Sequence, residues 1–230
     1  MRETDRFQYK VFYSRRRTMS IVVSPDKGII VKAPLRTPSR IIEKFVVEKS
    51  GWIIKTLQGF KSLKRIDNTN GSSDGDNVLL FGKEHKLSLI PASGYFVRLG
   101  DNSTIEAGYA GDMNPAIIKA MLENWVKFIA RKKLTIQFRN VLEKYKDHGF
   151  TPSGFTVRTM KKRWGSCSYK GKIGISYDLI KLDEVFADYV IIHELCHLKH
   201  HNHGAGFYRL LSEVYPDWKK ARNELKLYLR

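Results

Sequence analysis

In the stretch His193-Glu194-Leu195-Cys196-His197, two histidines stand four residues apart and a carboxylate directly follows the first. The apolar run Val190-Ile191-Ile192 before it, with Leu195 and Leu198 around it, predicts a buried helix that Asp183 opens. On a helix the two rings share one face, a rise of ~6 Å apart, and their nitrogens can converge on one ion. Glu194 is rotated ~100° from His193, so it stands off the ion and faces a water at an open coordination position. Zinc lowers the pKa of such a water toward ~7. Glu194 can then take its proton and pass it to a leaving amine. The same three residues can share a helix for structural reasons alone. Unpaired histidines and a carboxylate are costly in so apolar a setting, however, and a metal removes that objection.

A third ligand is needed. The chain continues His200-His201-Asn202-His203-Gly204. His203 follows a predicted helix end, where Asn202 and Gly204 tolerate left-handed backbone and let the chain fold back under the metal. His201 continues the helical face, but it lies ~12 Å along the axis from His193 on a straight helix, a poor fit to one small ion. His200 is expected to point elsewhere. Glu213 is the carboxylate alternative. The spacing from His193 to His203 also fits the HExxHxxGxxH pattern of metzincins, but His200 stands at the glycine position and no methionine follows His203.

The chain has 230 residues, of which 42% are hydrophobic and 28% charged, so it can bury one large core or two small ones. No apolar run approaches the ~18 residues of a membrane span. The polar start, with acids at Glu3 and Asp5, does not read as a secretory signal. Two cysteines, Cys167 and Cys196, are too few for a disulfide framework and fit a reducing compartment, so a cytoplasmic location is expected. The net charge is +18, in short clusters such as Arg15-Arg16-Arg17, Arg131-Lys132-Lys133, Lys161-Lys162-Arg163 and Lys219-Lys220. Such a surface predicts nonspecific nucleic-acid binding at low salt. It reads equally as a solvated basic exterior.

The N-terminal part predicts short strands at Ser20–Ser24 and Gly28–Lys32 around a Pro25-Asp26-Lys27 turn. A helix follows, with Thr37 as N-cap and Pro38 at its first position, weakened or ended by Gly51 and Gly59. Asp67 to Asn77 reads as a polar loop. Strands at Val78–Phe81 and His85–Ile90 flank a Gly82-Lys83 turn. Gly108 to Met113 reads as a joint, and Asn114-Pro115 starts one long helix or two pieces. Phe155 to Met160 predicts a strand, Gly165 to Gly171 a turn, and Ile173 and Ile175 a second strand. The last helix runs from Phe207, interrupted near Pro216. No internal repeat is visible.

Arg163-Trp164-Gly165-Ser166-Cys167-Ser168 has two readings. In one it lies beside the metal, with Arg163 or Ser166 holding substrate or the oxyanion. In the other Gly165 makes a tight turn while Trp164 and Cys167 fill the core. Tyr177 and Tyr208 are further candidate donors to a developing oxyanion. Cys196 reads as a core filler.

These segments resemble the YgjP-like family of zincin metallopeptidases, similar in its core to the SprT and WLM groups. Arg163–Ser168, Asp188–Leu198 and Asn202-His203-Gly204 followed by Phe207-Tyr208 carry the resemblance. Arg15-Arg16-Arg17-Thr18, Val23–Gly28 and Leu80–Lys86 extend it over nearly the whole chain. The family usually has Asn-His-Ser and Phe-Trp where this chain has Gly204 and Tyr208. The resemblance implies His193, His197 and His203 as zinc ligands and Glu194 as the catalytic acid and base.

The expected fold is α+β: a zincin-like metallopeptidase domain with an HExxH helix at 112–230, preceded by a small β-rich N-terminal domain at 1–111. The expected activity is zinc-dependent hydrolysis of peptide bonds in a peptide or protein substrate. The strand at Lys172–Ser176 is expected to receive that substrate as an added strand. The rivals are a zinc amidase on a non-peptide substrate and a basic nucleic-acid-binding protein with a structural zinc.

Overall fold

The structure, a computed structural model, describes residues 2–4, 7–25, 27–61, 64–65 and 71–229. It divides into two compact units, Met1–Leu63 and Lys64–Arg230. In the first, strands β1 (Arg2–Thr4), β2 (Phe7–Ser14), β3 (Ser20–Ser24) and β4 (Gly28–Pro34) form a sheet in the order β1-β2-β4-β3. β2 and β4 are parallel and the outer pairs antiparallel. Alternate residues Ile29, Val31 and Ala33 face the core beside Tyr9. Helices α1 (Ser39–Glu48) and α2 (Ser50–Lys61) complete it with Ile42, Val46 and Ile53. The expected single helix is thus two, broken at Lys49. Gly51 and Gly59 both lie inside α2. Pro38, not Thr37, is the N-cap residue, because the Thr37 hydroxyl donates backward to the Pro34 carbonyl (2.8 Å). Asp26 of the expected turn lies outside the described residues.

The second unit begins with β5 (Lys64–Arg65), followed by β6 (Asn77–Leu80), β7 (Lys83–Pro91), β8 (Phe96–Leu99) and β9 (Thr104–Tyr109). The last four form a sheet in the order β6-β7-β9-β8, with β7 and β9 parallel and the outer pairs antiparallel. Order and directions repeat those of the first sheet. The repeat is one of topology, invisible as sequence similarity. Phe81 and Gly82, both at positive φ (54° and 73°), make the β6–β7 turn, the backbone that a two-residue hairpin favours. Of the expected Asp67–Asn77 loop, residues 67–70 lie outside the described residues. Asp76 closes the rest, accepting from the Ser72 and Ser73 N–H groups at 2.9 and 3.0 Å.

Helix α3 (Pro115–Lys144) is one unbroken helix, started by the Asn114 side chain accepting from the Ala116 N–H (2.9 Å). Then come β10 (Gly154–Arg158), β11 (Gly165–Cys167), β12 (Lys172–Ser176), α4 (Glu184–Cys196), α5 (Ala205–Val214), α6 (Trp218–Leu225) and β13 (Tyr228–Leu229), which pairs with β5. The boundary expected at 111/112 falls instead between Leu63 and Lys64. Val78, Leu80, Leu87, Ile105 and Ala107 of the second sheet share one core with Ile118 and Leu122 of α3 and with α4. The Asn114-Pro115 helix start is therefore a corner within this unit. α4 is buried almost all round, through Phe186, Tyr189, Ile191, Ile192 and Leu195 among others. Among the described residues no helix is long and apolar enough to cross a membrane.

Candidate metal centre

Asp183 caps α4, its carboxylate accepting from the Val185 N–H (3.1 Å), and the helix carries His193 and Glu194 in its last turn. His197 is the C-cap residue and keeps right-handed helical dihedrals (φ −67°, ψ −16°), so its ring stays in phase with His193. The His197 Nδ1 lies 2.9 Å from the His200 carbonyl oxygen. As donor to that oxygen, Nδ1 carries the ring proton and leaves the Nε2 lone pair for a metal. The chain then reverses and delivers His203 beside His193, Nε2 to Nε2 at 3.0 Å. Neither Asn202 nor Gly204 takes the expected left-handed backbone. Gly204 is extended (φ −83°, ψ −175°) and opens α5.

The ligand atoms of His193, His197 and His203 all lie within 4.8 Å of one another. Metal–nitrogen bonds of ~2.0–2.1 Å at tetrahedral angles put nitrogens roughly 3.3 Å apart, close to the His193–His203 separation. Burial, helped by the charges of His197, His203 and Arg222, lowers the His193 pKa to about 3. The ring is therefore neutral, as a metal ligand must be. Three imidazoles facing one point, one of them held by its far nitrogen, fit a borderline metal ion. Beneath them lies Phe207, fully buried, with its ring centroid 5.0, 4.6 and 4.7 Å from those of His193, His197 and His203.

Glu194 is buried at 6% exposure. Burial pushes its carboxyl up to about 8, while the nearby Arg163 charge and a hydrogen bond from the Cys167 backbone N–H hold it down. That bond follows from the sheet. β11 pairs antiparallel with β12 so that Trp164 and Ser168 bond across to Ser176 and Lys172 (2.8 and 2.9 Å). The backbone groups of Gly165 and Cys167 alternate to the other side, toward Glu194. Gly165 allows the approach: a Cβ there would stand 2.5 Å from Glu194 Oε1 and 2.8 Å from Val190. The three histidines, Glu194 and Gly165–Cys167 line a cleft of ≈ 660 Å³ with Tyr189 and Arg222.

The YgjP-like metallopeptidase domain profile matches residues 17–228. The chain belongs to the YgjP-like metallopeptidase family. Family membership makes it a metal-dependent peptidase acting on a peptide or protein. Among solved structures, the metallopeptidase zymogen abylysin of Pyrococcus abyssi is similar at 28% identity over 38% of this chain and 90% of its own, with a TM-score of 0.35. The zymogen jannalysin of Methanocaldococcus jannaschii is similar at 20% identity over 40% of this chain and 92% of its own, also with a TM-score of 0.35. No curated protein matches.

In this YgjP-like chain the remaining sequence candidates separate. Arg163 and Ser166 line the cleft, and Arg158 Nη2 donates to the Ser166 hydroxyl at 3.2 Å. Gly165–Cys167 is a strand; the turn lies at Ser168–Gly171, where the Gly171 N–H donates to the Ser168 carbonyl (2.8 Å). Tyr177 does not line the cleft: its hydroxyl accepts from Arg131 Nη2 at 2.7 Å. Tyr208 stacks on Trp218, centroids 5.1 Å apart, and lines a smaller cavity of ≈ 190 Å³ behind His193 and His203. Glu213 is directed away from the triad, 3.5 Å from His148 Nε2. His201 stacks on Tyr169 (5.0 Å). β12 is the central strand of the order β10-β12-β11, so both its edges are taken and it cannot receive substrate as expected. Part of the basic surface is engaged within the unit: Lys133 pairs with Glu184 at 3.0 Å and Lys219 lies over Trp218.

Three features of the site carry no functional reading in the sequence analysis. Tyr189 precedes His193 by four residues and so lies on the ligand face, a legible signal. Its ring is 5.8 Å from that of His193, and burial pushes its pKa up to about 12, which keeps the hydroxyl protonated. Phe207 entered as the start of a helix and as part of a family motif, not as a support for the three rings. Arg222 carries no sequence signal at all.

Proposed function

We propose that the protein is a zinc peptidase with His193, His197 and His203 as the metal ligands and Glu194 as the general base. The observation that carries this reading is the position of Glu194, buried beside the triad and open to the same cleft. A bound zinc would supply Lewis acidity toward water and the scissile carbonyl. Everything else falls to the chain. Burial raises the proton affinity of Glu194 toward the working pH, which suits it to take a proton on its carboxylate and return it to the leaving amine. The Cys167 N–H orients that carboxylate. Arg163 stabilises its charged form. Tyr189 offers a protonated hydroxyl on the cleft wall as the oxyanion donor, a better placed candidate than Tyr177 or Tyr208.

An extended peptide fits against β11 rather than β12. β11 is the edge strand on the cleft side, and its outward backbone groups, apart from the Cys167 N–H that Glu194 takes, give it a partial ladder to offer. The test is metal analysis joined to a peptide-library cleavage assay. The expected result is about one zinc per chain, cleavage abolished by chelation and restored by zinc. A fourth protein ligand on the metal, with no cleavage of any peptide, would instead identify a structural site.

A further inference from the structure

Among the described residues the cleft is lined by Lys162, Arg163, Arg222 and Lys226, and Glu194 is its sole acidic residue. Glu194 is buried against Gly165 and belongs to the chemistry, so the open walls carry cations alone. Among the described residues, Lys162, Arg222 and Lys226 form no ion pair with a carboxylate, and all three are exposed. The cations stand on two walls. Lys162 and Arg163 precede β11. Arg222 and Lys226 are four residues apart on α6 and its C-cap, and so share one face with Leu225 between them. Arg222 also lines the smaller aromatic cavity with Tyr189, Tyr208 and Trp218, so it stands where the two cavities meet. Placing unpaired cations around a site that takes a metal cation costs metal affinity. A ligand that brings negative charge offsets that cost.

We propose that this cleft selects acidic peptides: carboxylate side chains flanking the scissile bond are held by Arg222 nearest the metal site and by Lys226 and Lys162 farther along. This substrate class rests on the peptidase reading above. Guanidinium matches a carboxylate through paired N–H donors and fixes its position, while the two lysines act as point charges that steer and retain it. A nucleic acid also carries negative charge. The aromatic floor beside Arg222 and the edge strand β11, which offers backbone pairing, favour a peptide in this place.

The test separates binding from cleavage. Zinc-loaded Glu194→Gln protein is titrated with fluorescently labelled peptides matched in length and differing only in Glu, Gln or Lys at the flanking positions. The Glu peptide is expected to bind about tenfold more tightly than the Gln peptide at low salt. The Lys peptide is expected to bind more weakly still. Arg222→Glu should erase the preference, and Lys226→Glu should reduce it. Lys220→Glu, on the same helix but outside the cleft, should leave it intact. Equal binding of the three peptides overturns the proposal, as does a preference that survives Arg222→Glu, or a single-stranded DNA that leaves the Glu peptide bound while Arg222→Glu weakens only the DNA. If wild-type protein cleaves none of the peptides but the preference holds, the selectivity stands and the peptidase reading fails.

Discussion

Gly165 and Glu194 are packed so closely that a Cβ at position 165 would stand 2.5 Å from the Glu194 carboxylate oxygen and 2.7 Å from its Cγ. The position of the carboxylate proposed as the base therefore depends on a missing side chain in the neighbouring strand. Gly165→Ala should push Glu194 aside while leaving the three histidines in place. A displacement of this size is expected to lower kcat about 10²-fold. Metal content should be unchanged. Steady-state cleavage and metal analysis on the same preparation check it, and wild-type turnover would show that Glu194 tolerates the shift.

The proposed metal ligands should separate from their neighbours by mutation. His203→Ala should weaken metal binding more than about hundredfold, since even outer partners of a ligand are worth 10–100-fold. His201→Ala and Glu213→Ala should change it little, because His201 stacks on Tyr169 and Glu213 faces His148. Competition with a chelator of known affinity measures all three. Loss of metal in Glu213→Ala would move the site to the two-histidine-plus-carboxylate class.

Phe207 supports the triad from below, touching all three rings while wholly buried. Its removal leaves a cavity under the metal ligands. Phe207→Ala should cost about 3–5 kcal/mol of stability. The added stability on zinc binding, read from unfolding midpoints with and without metal, should fall as well. A variant with wild-type midpoints in both conditions would show that the histidines hold themselves.

Much of this was legible because each signal was local. The i, i+4 spacing of His193 and His197, the Asp183 cap and the apolar run placed α4 and its two histidines. His203 comes beside the other two histidines by a different backbone from the one expected, since the chain reverses at extended Gly204. The limit at 111/112 is drawn from the sequence because a polar corner at Asn114-Pro115 looks alike whether it joins domains or elements. What joins them, one core that Val78 and Ile105 share with Ile118, is a long-range relationship that no local pattern announces. β11 was read as a turn because Gly165 usually signals one. Here it serves close approach to Glu194. Arg222 lies far along the chain on a helix with no motif and reaches the cleft only through tertiary packing.

Asp188 provides a pH test away from the metal. Burial raises its pKa above the ordinary value, against a hydrogen bond from Gln137 Nε2 (2.8 Å) and the Lys144 charge. A raised folded-state pKa means that the stability Asp188 contributes is fully present below its unfolded pKa and is lost as pH rises through the folded one. At neutral pH the ionised carboxylate therefore costs stability. Asp188→Asn keeps an acceptor for Gln137 without the charge. The variant should be the more stable protein at pH 7, and its advantage should shrink as pH falls through the raised folded-state pKa and be gone below the unfolded value of 3.8. Urea unfolding across that range checks the sign; a variant less stable at pH 7 that recovers in acid would show a depressed pKa instead.

The most direct measurement compares wild type and Glu194→Gln for bound zinc and for turnover of the same peptide. The substitution keeps size and an acceptor for the Cys167 N–H but cannot take a proton. The expected result is about one zinc per chain in both proteins, with hydrolysis lost only in the variant. Turnover at the wild-type rate by zinc-loaded Glu194→Gln would contradict the assignment of Glu194 as the base.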